Sequence, residues 1–206
     1  MLLDLSPLRR HSDFRLLFAG QLVSAFGSFF TYVALPVQIY GLTKSSAIVG
    51  LLGTVQLAPL AVTALWGGAF ADAVERRRLL LWAEGCLLCG SVALAVNSMA
   101  PHPSVALLFV VAAVMSAVNG FHTPALESLT PRLVGLDDLP AVSALTSLRG
   151  TTAAIGGPAL AGICIATLGL PFTFGIDAAT FAFSLLALSA IRSMPPAESA
   201  PVGGSL

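Results

Sequence analysis

Long apolar stretches alternate with short polar breaks along the whole chain. A helix needs about 20 mostly apolar residues to cross the hydrocarbon core of a bilayer. Six stretches qualify, roughly residues 16–40, 47–70, 79–99, 105–123, 141–168 and 172–191. The breaks between them are places where a helix turns. Gly41 to Ser46 is a turn carrying Lys44, and Pro101-His102-Pro103 cannot continue a helix. Thr130 to Pro140 is a longer polar connection, with Asp137 or Asp138 placed to cap the next span and Pro140 in its first turn. Gly169 and Pro171 end the fifth span and start the sixth. The expected fold is all-α, a six-helix transmembrane bundle over residues 1–194. Residues 195–206 are rich in Pro, Gly and Ser, bury too little apolar surface to order themselves, and read as a flexible linker-like tail.

Composition agrees. The chain is 56% hydrophobic and only 10% charged, where a soluble domain carries about 25% charged residues. Mean hydropathy is +0.90. The lipid bilayer is therefore the first partner, and a formal net charge of zero offers no basic surface for nucleic acid. The apolar run after Arg15 is too long for a signal-peptide core and lacks a small-residue cleavage site, so no cleavable signal is expected. Basic residues fix an orientation. Arg9, Arg10 and Arg15 precede the first span, Arg76 to Arg78 follow the second, Arg132 follows the fourth and Arg192 the sixth. The opposite side has only Lys44, which puts both termini in the cytoplasm.

Ionisable groups inside a span are costly, by ~2.5–3.5 kcal/mol at mid-helix on insertion scales. Glu84 lies near enough to the start of the third span to reach the cytoplasmic interface. Arg149 lies deeper in the fifth and is expected at a cavity or interface. Asp177 in the sixth is placed either to carry a proton or to accept hydrogen bonds from hydroxyls such as Thr173 and Thr180. Gln21, Gln38, Gln56, Asn119 and His122 are neutral candidates for a path, or for bonds between helices. His122 reads as interfacial. Cys86, Cys89 and Cys164 read as small packing residues. His11, His102 and His122 lie in separate segments with no metal-ligand spacing, and no phosphate-cradling glycine loop or paired catalytic residues are present. An intramembrane enzyme is thereby disfavoured, and no organic cofactor is expected.

Small residues let membrane helices approach closely. In the fifth span Ala153, Gly157 and Ala161 repeat every four residues beside Gly150, Ala154 and Gly162, and Pro158 permits a kink. That face is expected to lie open on a lone bundle. A smaller face is Ala112, Ser116 and Gly120.

The polar hinge between the second and third spans reads Gly68, three residues, Asp72, three residues, Arg76, Arg77. It resembles the signature loop between helices 2 and 3 of the major facilitator superfamily of transporters. The bland alternative is that its arginines only enforce topology. Gly156 to Gly162 resembles the Gly-Pro motif on helix 5 of the superfamily's antiporters, with Ala161 in place of one glycine. The resemblance implies a bendable, leak-tight interface there, against the alternative of generic packing. Gly20 to Ser24, Ala34-Leu35-Pro36, Leu42-Thr43, Pro124-Ala125-Leu126, Ser128 to Val134, Leu145 to Gly162 and Ile176-Asp177-Ala178 look like the N-terminal six-helix half of one exporter branch. That branch includes macrolide and siderophore (enterobactin-type) exporters. Three departures stand out. Ala73 replaces a usual basic residue, Glu75 a frequent glycine, and Ser28 an aspartate expected after Gly27.

The resemblance implies half of a twelve-helix fold, built as a 3+3 inverted repeat in the bacterial inner membrane. It implies proton-coupled efflux of a small amphipathic molecule (a drug, macrolide or siderophore) by alternating access. Gly68, Asp72, Arg76, Arg77 and Glu127 would form the gating motif, with Asp72 paired to Arg76 and Glu127 completing the relay. Gly150, Gly157, Pro158 and Gly162 would form the helix 5 motif, and Gln21, Asn119, Arg149 and Asp177 would line the substrate or proton path. The partner would be a second six-helix half, either the chain's own C-terminal half or another copy. A non-transporting subunit that docks a partner through the fifth span is the alternative.

Overall fold

Inside a bilayer no water is present to satisfy backbone polar groups, so long apolar runs close their hydrogen bonds within helices. The structure, a computed structural model, describes residues 4–73 and 75–191, of which 67–73 by backbone alone. A short helix α1 (Ser6–Arg10) precedes α2 (Ser12–Thr43), α3 (Ser46–Ala73), α4 (Arg76–Met99), α5 (Val105–Leu129), α6 (Leu139–Leu168) and α7 (Leu170–Ser189). Helices α2 to α7 are long and apolar enough to cross a membrane, and the described residues contain no strand. They correspond to the six stretches expected from the sequence.

The ends show what polar residues do at a helix terminus. Helix α5 runs past Thr123 to Leu129 because Ser128 and Thr130 donate back to the carbonyls of Ala125 and Leu126. Ser104 accepts the Leu107 amide at the start of α5, and Asn97 bridges the Pro-rich turn to the Ser104 backbone. Asp138 departs from expectation. It stands at the start of α6 but makes no side-chain cap. Its carboxylate is taken by His11 at 2.9 Å and by Arg10 at 3.8 Å, which tie the N-terminal segment to the α5–α6 connection. Nearby, Asp4 accepts the Ser6 amide at 2.8 Å, and that backbone bond holds its carboxyl below the usual range.

Packing follows a two-fold pattern. The heaviest contacts are α3 on α5, α2 on α7, α4 on α7, α4 on α5 and α2 on α6. Exchanging each span with the one three later turns α2·α6 into α5·α3 and α2·α7 into α5·α4, and leaves α4·α7 unchanged. Spans three apart run in opposite directions, so this is the contact pattern of an inverted repeat. Two apolar clusters fill the bundle. One, with Phe14, Leu80, Leu129, Leu145 and Leu188, lies toward the termini. The other, with Ile39, Leu94, Leu108 and Phe174, lies toward the far side. On α2 the buried Gln21, Ser24 and Thr31 sit between them, as does Ser184 on α7, while Glu84 and Ser91 of α4 and Asp177 of α7 are buried beside residues of the far-side cluster.

The small-residue face of α6 is split, which corrects the expectation that all of it lies open. Ala153, Gly157 and Ala161 are buried inside the bundle, and Gly157 meets α2. A Cβ at Gly157 would stand 2.6 Å from the Cβ of Phe29. Gly150, Ala154 and Gly162 remain on the open side, and α6 runs unbroken through Pro158. Gly157→Leu is therefore expected to force α2 and α6 apart. Overpacking of this kind costs ~1–3 kcal/mol or more. Gly150 has open space around it, so Gly150→Leu should leave the melting temperature in mild detergent unchanged while Gly157→Leu lowers it. Equal melting of both variants would contradict this packing.

Candidate functional site

Asp177 on α7 is fully buried. Its Oδ2 accepts Thr31 Oγ1 of α2 at 2.5 Å and Ser91 Oγ of α4 at 2.7 Å. Its Oδ1 has no hydrogen-bond partner among the described residues. Thr173 and Thr180, the donors expected from the sequence, bond instead to the backbone carbonyls of Gly169 and Asp177. Helix α2 comes this close because residue 27 is glycine. A Cβ there would lie 1.8 Å from Thr180 Oγ1 and 2.9 Å from Asp177 Oδ1. Ser28 stands where an acid was expected and bonds back to the Ser24 carbonyl. The acid at this level of the bundle is thus supplied from α7, across the helix crossing. Chemically, one oxygen is saturated by hydroxyls and the other is open to a proton.

A second buried acid was misread from the sequence. Glu84 does not reach the interface. It is fully buried, eight residues into α4 and so about 12 Å along the helix. Its Oε1 gathers three donors from three helices: Gln21 Nε2 at 2.6 Å, Ser184 Oγ at 3.0 Å and His122 Nε2 at 3.1 Å. His122 is likewise buried rather than interfacial. Gln21 also approaches Ser184 Oγ at 3.2 Å. The signal that could have found this hub is composition by depth. A glutamate, a glutamine, a histidine and a serine all fall at similar depth on separate spans.

Two cavities flank this polar layer. The far-side cavity, about 670 Å³, is walled by α2, α3, α5 and α7, with Tyr32, Phe29, Met115 and Phe181 beside Asn119 and Asp177. The terminus-side cavity, about 500 Å³, lies among α2, α5 and α6 and contains His122, Glu127 and Arg149 in its wall. Ser28, Asn119 and Phe181 border both. Asn119 is exposed, and its amide donates to the Met115 carbonyl of its own helix at 3.0 Å. Arg149 is half-buried in the terminus-side wall, and Glu127 is exposed. Of the four path residues proposed from sequence, Asn119 and Asp177 border the far-side cavity. Gln21, Asn119 and Arg149 border the other.

The hinge is described in part. Gly68 and Asp72 lie in the last turns of α3, where side chains fall outside the described residues. Arg76 opens α4. Arg77 donates to the carbonyls of Ser189 at 2.7 Å and Leu188 at 3.4 Å, which ties α4 to the end of α7. Arg78 pairs with Glu75 at 2.6 Å. Cys86 is partly buried against the far-side core, and Cys89 is exposed.

A sequence profile for a family described as transmembrane secretion effectors matches residues 3–204. Proteins named enterobactin exporter EntS from Shigella boydii serotype 4, Citrobacter koseri and Escherichia coli O1:K1 are each 32% identical over 195 residues. Those alignments cover 95% of this chain and 47% of each relative. The chain therefore spans about half the length of these curated relatives.

Proposed function

The chain belongs to the transmembrane secretion effector family of major facilitator transporters, and on that premise we propose that it is one six-helix half of a proton-coupled exporter. It works with a second half by alternating access in the bacterial inner membrane. The cargo is a small amphipathic molecule, a reading supported by relatives named for export of enterobactin.

One observation carries the need for a second half. In α3 only 6% of the apolar window is buried within the bundle, and in α6 17%, against 33–44% in the other spans. These two helices are symmetry mates in the contact pattern. The exposed side of α6 carries Ser143, Ser147 and Thr151 at four-residue spacing, beside Gly150 and Ala154. Hydroxyls and small residues suit a helix interface or a wet path and gain nothing from lipid. A second half packed across α3 and α6 would close the open sides of both cavities. Gly150 and Gly162 would then sit at the moving interface, with Gly157 and Pro158 shaping α6 from within. In the hinge, Gly68, Asp72, Arg76 and Glu127 would hold one conformer, with Arg77 anchoring α4 to α7.

Proteoliposomes test this. An imposed pH gradient should drive dye movement only when a second six-helix half is present, as a paired copy or on a longer chain. A single bundle that moves dye alone overturns the pairing. Absence of dye movement with any second half, together with stable co-purification of another protein, would replace this reading with that of a non-transporting subunit.

Orientation gives a separate prediction. Arginines flank the terminus-side ends of the spans, and Lys44 stands alone at the far side. Single cysteines at Ser45 and Ser104 should react with an impermeant thiol reagent added to intact cells, and one at Ser199 should not. Labelling at Ser199 would invert the topology.

A further inference from the structure

We propose that the terminus-side cavity binds an amphipathic monoanion, a carboxylate-bearing or phenolate-bearing molecule, with its charged end on Arg149. The inference rests on the reading of the bundle as an exporter half and names the class of cargo its inner cavity accepts.

The guanidinium makes the case. Arg149 lies ten residues into α6, about 15 Å from the helix start. It is half-buried and borders a cavity of about 500 Å³, a size suited to a small organic ligand. It forms no hydrogen bond or ion pair with any described residue. A partly desolvated cation without a counter-ion is a standing demand for an anion, and guanidinium presents a planar fork that matches carboxylate oxygens two at a time.

The other charged groups of the same wall do not answer that demand. Glu127 stands on α5 two residues before the helix end and is exposed. Its place beside the helix end puts it at the terminus-side end of the cavity. His122 is committed through Nε2 to Glu84, which is buried behind the wall. Depth therefore sorts charge in this cavity: an exposed acid near the helix end and an unanswered cation inside. The same arrangement limits the ligand to one negative charge, since Glu127 would oppose a second. Thr146, one turn before Gly150 on α6, adds a half-buried hydroxyl donor to the wall. In the far-side cavity the one charged wall residue is Asp177, which would repel an anion. The two cavities thus differ in the charge they accept. The boundary at Ser28, Asn119 and Phe181 divides an anion-accepting side from an anion-rejecting one.

The test uses the whole chain in lipid nanodiscs, titrated calorimetrically with 1-naphthoate and with its neutral isostere 1-naphthamide, against empty nanodiscs. The expected result is tighter binding of naphthoate by at least about tenfold. Arg149→Gln should erase the preference. Arg149→Lys, which keeps the charge but loses the fork, should keep part of it, which separates lost recognition from lost structure. Equal affinities in the parent protein, no binding of either probe, or a preference that survives in Arg149→Gln would each overturn the proposal. Transport is read separately. If the naphthoate preference holds but a pH gradient drives no export, the exporter reading fails and the anion site stands.

Discussion

Asp177→Asn is expected to abolish transport driven by a pH gradient, with a loss of at least about 100-fold, while the bundle still folds. The two consequences separate because the carboxylate has two jobs on two oxygens. Oδ2 holds Thr31 and Ser91, and an asparagine carbonyl in the same place accepts both hydroxyls. Oδ1 holds nothing among the described residues, and only there does an acid differ from an amide in what it can exchange. Asparagine cannot bind and release a proton, so coupling is lost and packing is kept. The groups around Asp177 sharpen the expectation. Helix α2 faces it with Thr31 and Gly27, neither of which titrates. Helix α4 faces it with Ser91, and Glu84 lies seven residues earlier, two turns away. Glu84 is paired with His122 of α5. The measurement is pH-gradient-driven dye movement in proteoliposomes containing both halves, beside thermal melting of the same variant. Wild-type coupling in Asp177→Asn would move the proton site elsewhere, with Glu84 and His122 next in line.

The helices were legible in the sequence because lipid imposes one rule on every span. Twenty apolar residues between arginine-rich or proline-rich breaks leave little choice, and the six observed spans match the six apolar stretches. Where a helix ended was less legible. The fourth apolar stretch stops near residue 123, yet α5 runs on to Leu129, because the hydroxyls of Ser128 and Thr130 bond back to carbonyls of the same helix. The buried face of a helix was harder still. A row of small residues marks close approach but does not say to what. On α6 the same row serves both purposes, with Gly157 against Phe29 and Gly150 left open. The polar layer was the least legible. Asp177 stood out because it is alone in its span, but its true donors lie 146 and 86 residues away in sequence. Glu84 was misread for the opposite reason. Its place near the start of the span suggested the interface, whereas the donors to its Oε1 come from α2, α5 and α7 and are invisible along α4 itself.

That hub sets the second large effect. Glu84→Leu should lower stability far more than a surface change on the same helix, because it removes the acceptor that three donors share. Gln21, His122 and Ser184 all address Oε1, and each belongs to a different helix. Interhelical hydrogen bonds in membranes contribute ~0.6–1.7 kcal/mol each, so three lost together amount to about 2–5 kcal/mol. Leucine offers no acceptor to the His122 ring or the Ser184 hydroxyl, Gln21 keeps only its 3.2 Å approach to Ser184 Oγ, and buried polar groups without partners are themselves costly. Glu84→Gln tests what kind of bond holds the hub. An amide oxygen still accepts from Gln21 and Ser184, so if these neutral bonds dominate, Glu84→Gln melts close to the parent protein. If the bond from His122 dominates instead, Glu84→Gln melts well below the parent protein, because the amide offers that ring a weaker acceptor than a carboxylate. The double variant with His122→Gln discriminates further. Coupling between positions 84 and 122 should reach about 1 kcal/mol or more in a double-mutant cycle of melting in lipid. Additive losses at the two positions, or a Glu84→Leu variant as stable as the parent, would remove Glu84 from the centre of the bundle's polar layer.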